Sequence, residues 1–204
     1  MEELLNFFIE IGKLKRQKRK GWVLRGVKDP ETIAAHTFRV AILAWFLGEQ
    51  KKLNINKILK ISLIHDLCEV YAGDTTPYDE LLPKDKKRWK EIISKWPRLS
   101  KVEKEKIFLK KYKKENRALA KLIFKLPLSL KKEIKNLWKD YEKGLTPEGR
   151  FVRQVDRIEN LIQALEYWEK GKPFAIGPWW VQIEELVDDP ILLKFIKTLD
   201  KKFH

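Results

Sequence analysis

At 204 residues and 24.4 kDa, with 44% apolar and 11% aromatic side chains including eight Trp, the chain is long enough to bury a core and too apolar to be disordered. A lone cysteine, Cys68, excludes an internal disulfide and fits a reducing compartment; an acidic opening (Met1, Glu2, Glu3) and the lack of any apolar run near the roughly 18 residues of a membrane span exclude a visible signal or anchor. A cytoplasmic protein of one domain, 1–204, is expected, and its net charge of +15 admits either a phosphate-rich partner or the Lys/Glu bias of heat-adapted proteins.

Nine Gly and nine Pro are thinly spread and alternating β-branched runs are scarce, so the elements read as helices throughout. Leu4, Phe7, Phe8 and Ile11 share one face of an amphipathic helix over 2–19, which enters the basic run Lys13 to Lys20 and stops at Gly21. Trp22 to Val27 reads as a linker crowded with large side chains. Trp22 is expected in the core, although an aromatic and Arg25 together can also clamp a base and a phosphate. Asp29, Pro30 and Glu31 read as the start of the next helix, with an acid cap and proline at the first helical position. In that helix His36 is in register with Val40, Leu43 and Leu47. A single His on an apolar face is more often a hydrogen-bonded core residue than a ligand.

The stretch 61–74, ISLIHDLCEVYAGD, is different in kind. From Ile61 to Ala72 it carries only two formal charges, Asp66 and Glu69, beside His65. Burying a carboxylate costs several kcal/mol unless a cation or strong donors compensate it, and a metal ion is the simplest compensation. Read as a helix over 57–72, the stretch sets His65 and Asp66 about 100° apart, able to lean onto one ion, and puts Glu69 on the same side as a free carboxylate. Asp74 to Pro77 forms a polar turn at its mouth.

Residues 84–117 hold 15 Lys or Arg and five Asp or Glu, two-thirds of the net charge in a sixth of the chain. The spacing of Trp89, Ile92, Ile93 and Trp96 predicts one or two amphipathic helices broken near Pro97, with the charges as a solvated face or a contact for nucleic acid. A short buried helix over 118–126, a helix over 129–143 stopped by Gly144, and a long helix from Thr146-Pro147-Glu148 to about Lys170 follow. Asp156 falls beside the apolar stripe of the long helix, where an Asp is usually solvated or paired, here with Arg153 or Arg157. Gly177 to Trp180 reads as a turn, and Pro190 to Lys202 as a last helix.

Two of the three histidines thus lie on apolar helix faces, and two imidazoles with two carboxylates suit one divalent transition ion such as Mn, Fe, Co, Ni or Zn. The order His36, His65-Asp66, Asp156, together with the strings GWVLRGVKDPETIAAH, HDLCEVYAGDTTP, NLWKDYE and FVRQVDRIENLIQALEY, resembles the HD-domain metal-dependent phosphohydrolases, in particular the 5′-deoxynucleotidases that hydrolyse deoxyribonucleoside monophosphates. The resemblance implies an all-α HD-domain helical bundle with a metal site between helices, and a homodimer; the basic stretch around 97–117 departs from it as a helical insertion that looks longer than in relatives. It implies His36, His65, Asp66 and Asp156 as metal ligands and Glu69 and Asp74 as acid and base in either order. Trp22, Arg25 and Thr76 would line the nucleotide pocket, and Glu142 would favour a sugar lacking the 2′-hydroxyl. Bacterial members place Arg directly before the tryptophan matched by Trp22; Gly21 stands there, so the phosphate needs Arg25, Lys20 or another cation. Other readings of the same features are an HD-type hydrolase of triphosphates, cyclic or hyperphosphorylated nucleotides, a two-iron site for oxygen chemistry, and a nucleic-acid-binding module with a structural metal.

Overall fold

The computed structural model describes residues 1–171 and 174–203, and among them it is all-α, without a β-strand. The helices are α1 (Glu2–Ile11), α2 (Lys20–Leu24), α3 (Ile33–Glu49), α4 (Ile55–Ile64), α5 (Glu69–Ala72), α6 (Trp89–Ile93), α7 (Lys101–Leu122), α8 (Leu128–Lys143), α9 (Pro147–Glu169), α10 (Gly177–Leu186) and α11 (Pro190–Phe203). No described helix is long and apolar enough to cross a membrane.

The long helix α9 is the axis of the packing. Thr146 caps it by accepting from the Gly149 amide, and its stripe of Phe151, Val155, Ile158, Leu161 and Leu165 is buried against α3, α4, α8, α10 and α11. Each such side chain contributes about 1.5–3 kcal/mol by leaving water. Gly149 lets α8 approach closely: a Cβ there would lie 2.2 Å from the Asp140 carboxylate and 2.8 Å from its carbonyl oxygen. A second apolar cluster gathers Leu14, Ile33, Leu67, Cys68, Ala72, Leu119 and Trp138 under α7. Ile61 belongs to the first cluster and Leu67 to the second, so the stretch between them, with His65 and Asp66, passes from one core to the other.

Several boundaries differ from those read in the sequence. The first helix ends at Ile11 and continues as a 3₁₀ turn over Gly12–Lys15, and Gly21 lies inside α2 rather than ending a helix. The third helix begins at Ile33, capped by Thr32, not at Asp29. The reason is a pairing between distant segments: Arg19 N donates to Glu31 O (3.0 Å) and Ile33 N to Gln17 O (2.9 Å), which holds the chain before Thr32 extended. The expected helix over 57–72 is divided, because after Ile64 the amides of Leu67, Glu69, Val70 and Tyr71 bond three residues back instead of four. Residues 118–122 complete α7 rather than forming a separate helix, and Gly177 to Trp180 open α10 rather than making a turn. The break around Pro97, the stop at Gly144 in the left-handed region (φ 58°) and the last helix lie where expected.

Candidate metal centre and substrate pocket

Three elements deliver the side chains. His36 comes from the first turns of α3, His65 and Asp66 from the tightened segment between α4 and α5, and Asp156 from the middle of α9. His36, His65 and Asp156 are all buried, and one ligand-type atom from each lies within 4.8 Å of the others. His36 Nε2 is 3.1 Å from Asp156 Oδ1. Asp66 Oδ2 borders the group, 3.3 Å from His65 Nε2 and 3.8 Å from His36 Nε2. Asp156 is therefore fully inside the core, although periodicity left it at a helix margin.

The fold orients both imidazoles from behind. His36 Nδ1 is hydrogen-bonded to Glu159 Oε2, and His65 Nδ1 donates to the Ser62 carbonyl oxygen at 2.6 Å. Each ring thus spends one nitrogen on the fold and turns its bare Nε2 inward, where neither Nε2 makes a hydrogen bond. Buried imidazole nitrogens are normally satisfied, and an orphaned pair facing carboxylates is the donor set of a divalent transition ion. Burial and Arg19 both push His36 toward its neutral form, but Glu159 and Asp156 outweigh them and raise it to about 10. Glu31, His36 and Glu159 also approach one another, and Glu159, on the opposite ring nitrogen, orients His36.

The carboxylates are held from outside. Asp156 accepts from Tyr141 Oη at 2.7 Å and Asn160 Nδ2 at 3.0 Å and pairs with Arg157 at 3.3 Å. Burial opposes its charge, yet Arg157 and the two histidines keep it well below the ordinary carboxylate range. Arg19 donates to Asp66 Oδ2 and to Asn160 Oδ1, both at 3.1 Å, with its Nε 3.9 Å from Asp74. Asp74 also accepts from the Lys20 amide at 2.6 Å; Gly73, at φ 71°, turns the chain to bring it there. Glu69 is buried with no partner for Oε2, and burial, then Asp66 and Asp74, raise it well above the ordinary range.

A pocket opens over this floor, lined among others by Arg19, Trp22, Asp74, Thr76, Arg157 and Trp179. Trp22 is core, as expected, stacked on Trp179 (centroids 5.3 Å apart), and only part of it reaches the pocket. Arg25 also lines the pocket, but its guanidinium lies 4.4 Å over Trp179 and donates to Gly21 O, Tyr78 Oη and Ile93 O. Thr76 donates to Asp79 at 2.6 Å. Glu142 is buried on α8, with Lys111 Nζ at 3.8 Å, and does not itself line the pocket. Arg19, Glu159, Asn160, Tyr141 and Trp179 were not singled out in the sequence. Arg19 is hidden in a basic run of solvated appearance, and Glu159 carried a signal, one helical turn after Asp156 among apolar residues.

An HD-domain family profile matches residues 11–177. The chain is 32% identical over 203 residues to the 5′-deoxynucleotidase HDDC2 of Danio rerio, covering 99% of this chain and 88% of that one, and 29% identical over 198 residues to the protein of that name from Homo sapiens, covering 97% and 84%. Among solved structures it is similar to a conserved hypothetical protein from Pyrococcus furiosus (TM-score 0.70, 27% identity, 97% of this chain and 99% of that one). An HD-domain phosphohydrolase from Listeria innocua, at 17% identity, shares the fold (TM-score 0.65, covering 98% and 89%). With its helical bundle, its buried His and Asp cluster and these matches, the chain belongs to the HD-domain family.

Proposed function

We propose that this chain is a metal-dependent 5′-deoxynucleotidase, hydrolysing deoxyribonucleoside 5′-monophosphates to deoxynucleoside and phosphate. The observation that carries the reading is the pair of bare, buried Nε2 atoms of His36 and His65 facing Asp156 and Asp66, beneath a pocket with both cations and aromatic faces. The names of the relatives supply the substrate class.

His36, His65, Asp66 and Asp156 would hold one divalent ion of the Mn, Fe, Co, Ni or Zn group. When bound, such an ion supplies Lewis acidity toward a phosphoryl oxygen and acidifies water near neutral pH. Arg19 and Arg157, each in contact with a proposed ligand carboxylate and lining the pocket, neutralise the phosphate, which answers the absence of Arg at Gly21. Arg25 braces the aromatic wall that receives the nucleoside. Asp74 lines the pocket and Glu69 does not, so Asp74 gives the proton to the leaving O5′ and Glu69 orients the attacking water. Glu142, held by Lys111 and an electrostatic neighbour of Arg157, acts on the sugar through these neighbours. A closed structural metal would leave the unpaired Glu69 without a use. The exposed Phe38 and Phe46 on the outer side of α3 would be the apolar contact of a homodimer.

The test is phosphate release from deoxy- and ribonucleoside monophosphates, each with Mn, Co, Ni, Zn or Mg. Turnover of the deoxy series with a transition ion is expected, and Glu69→Ala should retain metal by elemental analysis yet lose turnover. Hydrolysis only of triphosphates or cyclic nucleotides, followed by chromatography of the nucleotide products, would replace this substrate class with another.

A further inference from the structure

Apart from Lys111, which holds Glu142, the basic segment 97–117 takes no part in the site above, but α7, which contains most of it, forms one wall of a groove of about 420 Å³. The facing walls are the turn at 75–80, the loop at 96–99 and the end of α10. Groove and substrate pocket share Thr75, Thr76, Pro77, Trp96 and Arg157 and so adjoin each other. Another depression, on the far side of Trp96, shares only Trp96 and Pro178 with the pocket.

The lining is suited to one kind of continuation. Five cations and three acids line it; Lys104 pairs with Glu185, Lys110 with Glu80 at 2.8 Å, Lys111 with Glu115 at 3.3 Å and Arg157 with Asp156 at 3.3 Å, while Asp79 pairs with Lys20 at 2.6 Å. Lys114, on α7, has no ion-pair partner among the described residues. Between the cations lie the rings of Phe108 and Trp96, both half-buried and so with surface to offer. Cations tracking a backbone beside aromatic faces is the arrangement that binds single-stranded nucleic acid, and the volume is that of a small-molecule subsite.

We propose that this groove holds the second nucleotide of a 5′-phosphorylated deoxynucleotide strand whose first nucleotide occupies the substrate pocket, so that the chain dephosphorylates the 5′ end of short DNA strands as well as mononucleotides. The proposal rests on the nucleotidase reading of the same site. The step is unchanged: water adds to phosphorus as Glu69 takes one of its protons, the P–O5′ bond breaks, O5′ takes the proton from Asp74, and solvent returns the proton from Glu69 to Asp74, so that the products are inorganic phosphate and a strand with a 5′-hydroxyl. The linked second nucleotide contributes through its high effective concentration at the groove.

The test compares non-hydrolysable 5′-methylenephosphonate analogues of thymidine monophosphate and of the 5′-phosphorylated thymidine dinucleotide, titrated calorimetrically into the Mn-loaded protein. The dinucleotide analogue should bind about tenfold tighter at low salt, the gain shrinking as salt is added. Lys114→Glu and Phe108→Ala should each remove most of that gain; Lys114 is exposed, so its replacement does not threaten folding. Equal affinity for the two analogues, or a gain untouched by both substitutions, overturns the proposal. Phosphate release from thymidine monophosphate but not from the phosphorylated dinucleotide also overturns it. Release from neither, with the binding gain intact, overturns the nucleotidase reading and keeps the groove as a nucleotide site.

Discussion

Glu159 faces away from the pocket, yet it decides how His36 is presented. Its Oε2 holds His36 Nδ1, and its Oε1 accepts from Arg39 Nε at 2.9 Å, so the carboxylate is fixed between a cation and the imidazole. A carboxylate behind a ligand histidine sets the ring's tautomer and raises its basicity. Glu159→Gln should therefore weaken Mn or Co binding roughly 10- to 100-fold with the fold intact; titration calorimetry beside circular dichroism checks it, and unchanged affinity would remove Glu159 from the centre. At this scale the strongest signals in the sequence were incongruities: an acid or imidazole in an apolar run, as at His36, His65, Asp66 and Glu69. Arg19 offered none, because a cation in a basic run looks solvated, and only the pairing of 17–19 with 31–33 turns it toward Asp66. Asp156 was visible through resemblance and not through periodicity, since the wheel does not reveal that Tyr141 and Arg157 enclose it.

Helix boundaries were legible where local chemistry sets them, as at Thr146-Pro147 and Gly144, and illegible where a distant segment or a change of hydrogen-bond pitch does, as before Thr32 and at His65 to Cys68. Between helices, one contact makes a pH-dependent element. α7 buries Glu115 with Lys111 Nζ at 3.3 Å, and Lys111 also faces Glu142 of α8. Burial outweighs Lys111 and, with Glu142 and Asp66, raises the Glu115 carboxyl from 4.5 to about 7. Between these values the folded protein keeps a proton that the unfolded chain has released, so this group lowers stability as pH rises through the window and has no further effect above it. The loss is on the order of 3 kcal/mol. Urea unfolding of the metal-free protein at pH 5 and pH 8 should show wild type losing more stability across the interval than Glu115→Gln; equal losses would count against a raised Glu115. The α8–α9 contact is steric instead. Gly149→Ala drives a methyl into Asp140, with an expected cost of about 1–3 kcal/mol or more and a lower melting temperature. A melting temperature equal to wild type would mean that the two helices separate without strain.

The whole molecule converges on a cluster whose members come from parts of the chain that are remote in sequence. α3, the segment after α4 and α9 each carry at least one proposed ligand, and the apolar cores pack those elements without neutralising the carboxylates between them. An ion bound there would join all three, and because the unfolded chain has no such site, its binding free energy becomes folding free energy. At a metal concentration one hundred times the dissociation constant the gain is about 2.7 kcal/mol. For a chain of this size each kcal/mol moves the melting temperature by roughly 2–4 °C. Mn or Co should therefore raise the melting temperature of the chelator-treated protein by several degrees, followed by circular dichroism. His65→Ala should melt at a temperature that no longer responds to metal, since one of the two bare Nε2 donors is gone while Ser62 and its surroundings are kept. A His65→Ala protein that still gains several degrees from the ion would place the metal elsewhere than between α3 and α9.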